Sequence, residues 1–349
     1  MLKETILPVQ YPVITTSPDH TNYLSILGTK PDSFDWLFSN YIQIACKKWI
    51  SQLNNSIFFA FGTEFMGKPF LSCPWIKTNI INPELVDTCF DIVSFLRMCI
   101  DNGYYVSIDI NHFYLKCSNQ YGKSDFIHTV FIFGYDDNTN FFHIADFFVD
   151  EKYSYELASY QEIQLAYENS KWDSREDNIR HDEEIILFKL LQEKRDVIEA
   201  DYTLNIPRII NSIEEYLLVK NHNVISCSHD KFLYGIEVYD EIEKLLLNVE
   251  AGKLSLRKKL FHILYQHKLL MLKRIEYLNQ RLSLPQNEYL YHTYKDIENE
   301  ALTIRNISIK YMISHQNILL VNMRNRLMRL KELEVSCLPV LINSLQLCL

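Results

Sequence analysis

The chain has 349 residues and a formal net charge of −9, with 48% hydrophobic and 23% charged residues. This balance is typical of a folded globular protein and excludes wholesale disorder. Residues 1–150 carry 9 basic against 15 acidic side chains, and the remainder carries 26 against 29, so neither half offers the basic surface that nucleic-acid binding needs.

The sequence also predicts a cytoplasmic protein without a membrane segment. No apolar run approaches the roughly 20 residues of a membrane-spanning helix, and the first residues place proline and charge where a signal peptide needs an apolar core. The eight cysteines form no Cys-x-x-Cys pair and mostly lie in apolar stretches. They are therefore expected to be buried free thiols rather than disulfides or zinc ligands.

Composition divides the chain into two halves of different architecture. Residues 1–150 hold 17 of the 20 phenylalanines and 7 of the 10 prolines, whereas leucine rises from 10 before residue 150 to 34 after it. Aromatic residues and proline suit strands and loops, and leucine suits helices. We expect an α+β domain over residues 1–170 and an α-helical domain over residues 171–349, with a charged, exposed boundary near residues 170–182.

In the first half, prolines mark residues 1–33 as loop-like. Ser33 or Asp35 is expected to cap a helix that runs to about Leu53, and a second helix begins at Pro83 and ends near Asn102-Gly103. A series of antiparallel strands follows, over residues 104–110, 112–117, 128–135 and 141–148. The turn Asp-Asp-Asn-Thr-Asn joins the last two strands as a hairpin.

From about residue 151 the apolar residues recur with the period of a helix. Helices are predicted over residues 159–168, 182–199, 207–220, 237–250 and 254–282. Pro285 then turns the chain into one further long helix, up to about Val335, which makes an antiparallel helical hairpin. The apolar faces of this hairpin must be buried against the first domain or against a partner helix, so a homodimer through the helical domain is one expectation.

One segment carries residues suited to catalysis. His128 opens the third strand of the series and Asp146 lies near the end of the fourth, so the hairpin can bring the two side chains within hydrogen-bonding reach. A carboxylate that orients a histidine is the base half of a nucleophile–His–acid arrangement. The alternative is that His128 is an ordinary strand-edge histidine and Asp146 a turn residue.

The pattern His-Thr-Val-Phe-Ile-Phe-Gly-Tyr-Asp that begins at His128, with the Ile-Ala-Asp-Phe strand after it, resembles the His and Asp strands of the papain-like fold. Residues 1–170 are more closely similar to the butirosin-biosynthesis protein H N-terminal family, which also shares Phe61-Gly62 and the Gly-Tyr-Tyr-Val-Ser-Ile-Asp strand ending at Asp109. This resemblance implies a papain-like domain of antibiotic or nonribosomal-peptide biosynthesis. The implied activity is acyl transfer from a carrier-protein thioester to an amine or hydroxyl.

The family pattern places a cysteine nucleophile at the start of the first long helix, where this chain has no cysteine. Ser39 falls nearest the expected position, and Cys46 lies seven residues further on, about two helical turns deeper. Three interpretations stay open. Ser39 is the nucleophile and His128 activates it, or Cys46 is the nucleophile, or the nucleophile is lost and the domain binds its substrate without cleaving it.

The resemblance also implies which residues flank the substrate. Asp109, Tyr114, Tyr121 and Asn40 are expected beside the substrate channel. The alternative for Asp109 is a solvated carboxylate at the end of a strand, and for the two tyrosines it is a position in the core or at the surface.

The histidines elsewhere do not predict a metal site. The cluster His222, Cys227, His229 and Asp230 lacks standard zinc spacing and a second ligand pair, so a polar loop is expected there. His262 and His267 lie five residues apart, which does not stack them on one helical face. We therefore expect no metal and no cofactor.

Three functions remain as hypotheses. The first is an acyltransferase or thioester-processing enzyme that uses His128, Asp146 and either Ser39 or Cys46, with an acyl or peptidyl carrier protein or a peptide-type small molecule as partner. The second is a catalytically inactive papain-like module that binds a carrier protein or a peptide intermediate. The third is a hydrolase related to cysteine peptidases.

Overall fold

The computed structural model describes residues 3–47, 57–60, 69–170, 184–194, 202–219 and 232–349. The chain forms two compact units, each built from two separate stretches of sequence. The first unit comprises Met1–Ser33 and Pro69–Ala200, and the second comprises Phe34–Lys68 and Asp201–Leu349. This division differs from the expected boundary at residue 170, because residues after 170 complete the sheet of the first unit and residues 34–68 group with the helical part.

The described residues have an α+β structure with antiparallel sheets and a helical C-terminal region, as the sequence predicts. The strands are β1 (Glu4–Ile6), β2 (Gln43–Lys47), β3 (Phe58–Ala60), β4 (Ile76–Ile81), β5 (Tyr105–Asn111), β6 (Ile127–Asp136), β7 (Phe141–Val149), β8 (Lys152–Ser159), β9 (Ile185–Leu190) and β10 (Phe232–Tyr234). The helices are α1 (Pro18–Leu27), α2 (Phe34–Ser39), α3 (Pro83–Cys89), α4 (Ile92–Asp101), α5 (Tyr160–Glu168), α6 (Ile206–Leu218), α7 (Val238–Glu250), α8 (Lys258–Leu282), α9 (Asn287–Ser314) and α10 (Asn317–Gln346).

The first unit is built on a sheet with the order β4-β9-β5-β6-β7-β8, and β1 pairs with β6. All neighbouring strands are antiparallel, and the predicted β6–β7 hairpin is confirmed. Side chains of α4 and α5 pack against one face of this sheet, with Leu96, Val106, Ile132 and Ile163 fully buried among them. This apolar face holds the central strands in register, because a slip of one residue would turn every side chain to the other face.

Helix α1 lies in a stretch for which the prolines predict a loop. The proline at its first position caused the error, since proline breaks a helix interior but suits the first turn, where the missing N–H would have no partner. Asn22 of α1 donates from Nδ2 to the Oγ of Ser107 on β5 at 2.9 Å. Helix α1 therefore packs on the sheet face that Ser107 occupies.

The predicted helix over residues 34–53 is wrong beyond its first turns. Helix α2 ends at Ser39, Tyr41 adopts a left-handed backbone with φ of 56°, and the chain then enters β2. Strand β2 pairs with β10 on one side and β3 on the other, which buries the apolar residues of the predicted helical face. Residues 48–53 of the predicted helix lie outside the described residues.

Three further predictions fail where tertiary pairing overrides the local pattern. Residues 112–117 are not a strand, because the chain turns into a 3₁₀ helix at His112–Tyr114. The Ile-Ile-Leu-Phe run within 182–199 is the strand β9, which lies between β4 and β5. The long helix after Pro285 is two helices, since His315 adopts a left-handed backbone with φ of 52° and its N–H bonds back to the carbonyl of Tyr311.

The predicted helix from Pro83 to Asn102 is two helices, α3 and α4, because Phe90 and Asp91 adopt extended backbone and Asp91 caps α4. The predicted helices over 159–168, 207–220, 237–250 and 254–282 are confirmed within a few residues, and α8 and α9 form the predicted antiparallel pair around Pro285. Within the described residues, no helix is both long enough and apolar enough to cross a bilayer. The described cysteines are free thiols, and four of them are buried: Cys46, Cys73, Cys99 and Cys337.

Candidate active site

The β6–β7 hairpin brings His128 and Asp146 together. Its turn is fixed by the carboxylate of Asp136, which accepts hydrogen bonds from the N–H of Asn138 and the hydroxyl of Thr139, both at 2.8 Å. Nδ1 of His128 lies 2.6 Å from Oδ2 of Asp146. The hydrogen bond between these two side chains, expected from the sequence, is therefore present in the structure.

The surroundings of Asp146 keep its carboxyl group ionised, as a hydrogen-bond acceptor. The side chain is only 1% exposed. Burial alone would raise the pKa of its carboxyl, but His112 and His128 beside it outweigh burial and hold that pKa below its usual value. A charged Asp146 fixes the proton of His128 on Nδ1, so Nε2 is the ring nitrogen that can accept a proton.

His112 is the member of this site that the sequence does not predict. Its Nε2 lies 3.0 Å from Oδ2 of Asp146, and its Nδ1 lies 3.2 Å from Oγ of Ser118. Because Ile110 pairs with His128 in the sheet, a residue just beyond Ile110 ends close to that histidine. The polar pair Asn111-His112 at the end of an apolar strand is the signal that indicates a functional residue here. The predicted strand over 112–117 instead makes His112 one residue of a continuing strand.

Aromatic rings enclose the two imidazoles. The ring of His128 stacks on Phe126 with centroids 5.3 Å apart, and the ring of His112 stacks on Phe148 at 5.4 Å. His112 is 1% exposed, whereas 29% of the His128 side chain is exposed. His128 is thus the group through which this site meets the solvent, and the apolar walls strengthen its interaction with Asp146.

Ser39 is held by hydrogen bonds within the second unit. Its Oγ donates to the carbonyl of Asp35 at 2.7 Å and accepts from the N–H of Asn205 at 2.9 Å. The side chain is fully buried. These contacts are those of a hydroxyl that stabilises a helix end and the start of α6, and they leave it poorly suited to act as a nucleophile.

Cys46 also lies in the second unit, on the strand β2 rather than on a helix. It is fully buried, and burial, assisted by the charge of Glu241, raises the pKa of its thiol to about 12. Because the thiolate is the reactive form, a thiol with this pKa is unreactive at neutral pH.

The residues expected beside the substrate are dispersed. Asp109 accepts a hydrogen bond from Thr129 at 2.5 Å, and alternation along β6 points Thr129 to the sheet face opposite His128. Tyr114 packs at the margin of the core, and Tyr121 is 46% exposed. Asn40 is buried in the second unit, where its Nδ2 donates to the carbonyl of Trp36 at 2.7 Å.

The second unit contains its own buried polar cluster, around Glu334. Nζ of Lys268 lies 2.8 Å from both carboxylate oxygens of Glu334. The carboxylate also accepts hydrogen bonds from the hydroxyls of Tyr216, Tyr239 and Tyr294, at 2.9, 2.6 and 2.6 Å. The five helices α6 to α10 thus each contribute one side chain to a network that is buried throughout.

His267 borders this network, and both of its ring nitrogens have close partners. Its ring lies 2.7 Å from the carbonyl of Ile42 through Nε2 and 2.9 Å from Nζ of Lys268 through Nδ1. Burial, followed by the charge of Lys268, lowers the pKa of His267 to about 3. The other cluster considered from the sequence, His222 to Asp230, lies outside the described residues.

This pKa makes the stability of the helical unit sensitive to acid. His267 stays neutral in the folded chain down to about pH 3, whereas in the unfolded chain it takes up a proton below about pH 6.5. Stability is therefore expected to fall between these values, by up to about 1.4 kcal/mol per pH unit. The free energy of unfolding is measured by urea at pH 7 and pH 5 and followed by helical circular dichroism. It should differ less between the two pH values for His267→Gln than for the wild type.

The matched control for that measurement is His143→Gln. The pKa of His143 is also lowered by burial, but this half-buried histidine belongs to the first unit. The His143→Gln variant should lose nearly as much free energy of unfolding of the helical unit between pH 7 and pH 5 as the wild type does. A His267→Gln variant with the full wild-type loss would contradict the assignment of this sensitivity to His267.

Comparison of the chain with protein-family models and with curated proteins finds no match to either.

Proposed function

We propose that His128 and Asp146 form a general base for acyl transfer from a thioester to an amine or hydroxyl. The observation that carries the proposal is the 2.6 Å contact between Nδ1 of His128 and the buried, charged Asp146. Such a pair orients the imidazole and stabilises the imidazolium that forms when Nε2 takes a proton. The resemblance of residues 1–170 to the butirosin-biosynthesis protein H N-terminal family, with its papain-like fold, supports this reaction class.

The positions of Ser39 and Cys46 favour a reaction without a covalent acyl-enzyme. The hydroxyl of Ser39 already makes two hydrogen bonds, and the thiol of Cys46 is buried and has a raised pKa. In the direct route the acceptor nitrogen or oxygen attacks the thioester carbonyl, and its proton passes to Nε2 of His128. The new C–N or C–O bond forms, the C–S bond breaks, and the proton passes on to the leaving thiolate.

The test uses small thioesters in place of a carrier protein. Acetyl, butyryl and glycyl thioesters of N-acetylcysteamine are incubated with the full chain and glycinamide as acceptor, and thiol release and amide product are measured. We expect His128→Ala and Asp146→Asn to lower the rate by about 10² to 10⁴, the range of general-base catalysis. Ser39→Ala, Cys46→Ala and the control His143→Ala should keep most of the activity.

The alternatives give different results in the same assay. A covalent acyl group on Ser39 or Cys46, seen by intact-protein mass spectrometry together with an inactive variant of that residue, would contradict the direct route. A wild-type rate equal to that of the protein-free reaction would favour the second function, a non-catalytic module that binds a carrier protein or peptide intermediate.

A further inference from the structure

We propose that His112, His128 and Asp146 form a binding site for a divalent transition-metal ion of the Zn²⁺ class. Each residue offers one donor atom, and these atoms all lie within 4.8 Å of one another. Two imidazole nitrogens with one carboxylate oxygen suit Zn²⁺, Fe²⁺ or Co²⁺, whereas Mg²⁺ and Ca²⁺ prefer oxygen donors alone. The sequence predicts no metal here because its pattern continues the strand through His112.

Two buried polar atoms at this place make no hydrogen bond within the described part of the chain. They are Nε2 of His112 and Oδ1 of Asp146. Nε2 of His112 lies 3.0 Å from Oδ2 of Asp146, but outside the angle of a hydrogen bond. Both residues are 1% exposed, so water does not reach them freely. Because buried polar atoms are rarely left unpaired, a cation held between the nitrogen and the carboxylate would give Nε2 of His112 a partner, and it would also satisfy Oδ1 when the carboxylate binds through both oxygens.

The surroundings orient His112 as a metal ligand is oriented. Nδ1 of His112 lies 3.2 Å from Oγ of Ser118, and that oxygen also accepts the N–H of Gln120 at 3.1 Å. A hydrogen bond on one ring nitrogen fixes the direction of the other, and this is the usual support of metal-bound histidines. Phe148 and Phe126 hold the planes of the two imidazoles by stacking.

The spacing suits a small ion after a modest adjustment. Oδ2 of Asp146 lies 2.6 Å from Nδ1 of His128 and 3.0 Å from Nε2 of His112. Zinc bonds of about 2.0–2.2 Å in tetrahedral geometry separate donors by about 3.3 Å. Oδ2 of Asp146 therefore needs to move apart from Nδ1 of His128 by about 0.7 Å and from Nε2 of His112 by about 0.3 Å. His128, whose side chain is 29% exposed, is the most solvent-accessible of the three donors.

Metal binding at this site excludes the hydrogen bond between His128 and Asp146. The ion would take Nδ1 of His128, the atom that otherwise donates to the carboxylate. The metal-bound chain therefore cannot use His128 as a base that Asp146 orients. The inference concerns binding alone and goes beyond the proposed acyl transfer without depending on it.

The experiment measures binding to the full chain in the absence of substrate. Zn²⁺ is titrated in competition with a chromophoric chelator, and Co²⁺ is followed by its visible absorption. We expect one equivalent of tight binding in the wild type. His112→Gln, His128→Gln and Asp146→Asn should each weaken the affinity by at least about 100-fold, and Ser118→Ala by about 10-fold. The control His143→Gln should bind as the wild type does.

Two results would overturn the inference. One is a wild-type chain that takes no Zn²⁺ from the chelator, and the other is unchanged affinity in His112→Gln and Asp146→Asn. If these variants alter the circular dichroism spectrum, wild-type crystals soaked in ZnCl₂ decide instead. An anomalous difference peak between the three side chains supports the site, and its absence rejects it. Because substrate is absent, failure of the acyl-transfer assay leaves these outcomes unaffected.

Discussion

Replacing Glu334 by Gln is expected to lower the free energy of unfolding of the helical unit by about 3–5 kcal/mol, the range for breaking a buried ion pair. The change leaves the ammonium of Lys268 without its partner at a position where both side chains are 0% exposed. Burial alone would raise the pKa of Glu334, but Lys268 and the surrounding donors hold it below its usual value, so the wild-type carboxylate is charged.

Urea unfolding at pH 7, followed by helical circular dichroism, measures this loss. Glu250→Gln is the matched control, because Glu250 pairs with Arg324 at 3.0 Å while 30% exposed. Exposed pairs contribute about 0–1 kcal/mol. In addition, the double variant Lys268→Met, Glu334→Gln should lose less than the sum of the single changes, since neither charge remains. A loss of less than about 1 kcal/mol for Glu334→Gln would show that the network adds little to stability.

Gly235→Ala should destabilise the same unit by more than about 3 kcal/mol, at the upper end of single-residue effects. Gly235 has a left-handed backbone with φ of 55°, and a Cβ there would lie 2.1 Å from the carbonyl oxygen of Tyr216. No side-chain rearrangement relieves this contact, because the opposing atoms belong to the backbone of α6. Either the helix or the turn before α7 has to move.

Gly252→Ala separates this clash from backbone strain. Gly252 also has a left-handed backbone, with φ of 69°, but a Cβ there would meet nothing within 4 Å. Gly252→Ala should therefore lower the free energy of unfolding by only about 1–2 kcal/mol, the cost of a left-handed backbone at alanine. Equal losses in the two variants, measured by the same urea unfolding, would show that the approach of Tyr216 is not what requires glycine at residue 235.

The sequence predicted features that depend on local pattern. The hairpin that carries His128 and Asp146 could be found because the alternation of apolar residues and the turn residues agree. The local pattern could not place Ser39 or Cys46, because the expected positions of both depend on residues 34–53 being one helix. A left-handed Tyr41 ends that helix, and only the pairing of β2 with β3 and β10 makes the following residues a strand.

His112 shows a different limit. Its role depends on where β5 ends relative to β6 and on the turn stabilised by the Asn111 side chain, which accepts the N–H of Phe113 at 3.0 Å and of Phe126 at 3.1 Å. Neither the register nor these long-range contacts leave a periodic signal in the sequence. The same holds for Glu334, whose partners come from four other helices.

The position of β9 has a consequence for synthesis of the chain on the ribosome. This strand lies between β4 and β5, although it follows both by many residues. Until Ile185–Leu190 has left the exit tunnel, β4 lacks its partner and β5 has an unpaired edge. A fragment that ends at residue 170 would keep these edges open, and open edges invite pairing with other chains. The sheet of the first unit is thus completed late, after the residues of the second unit's first stretch have already emerged.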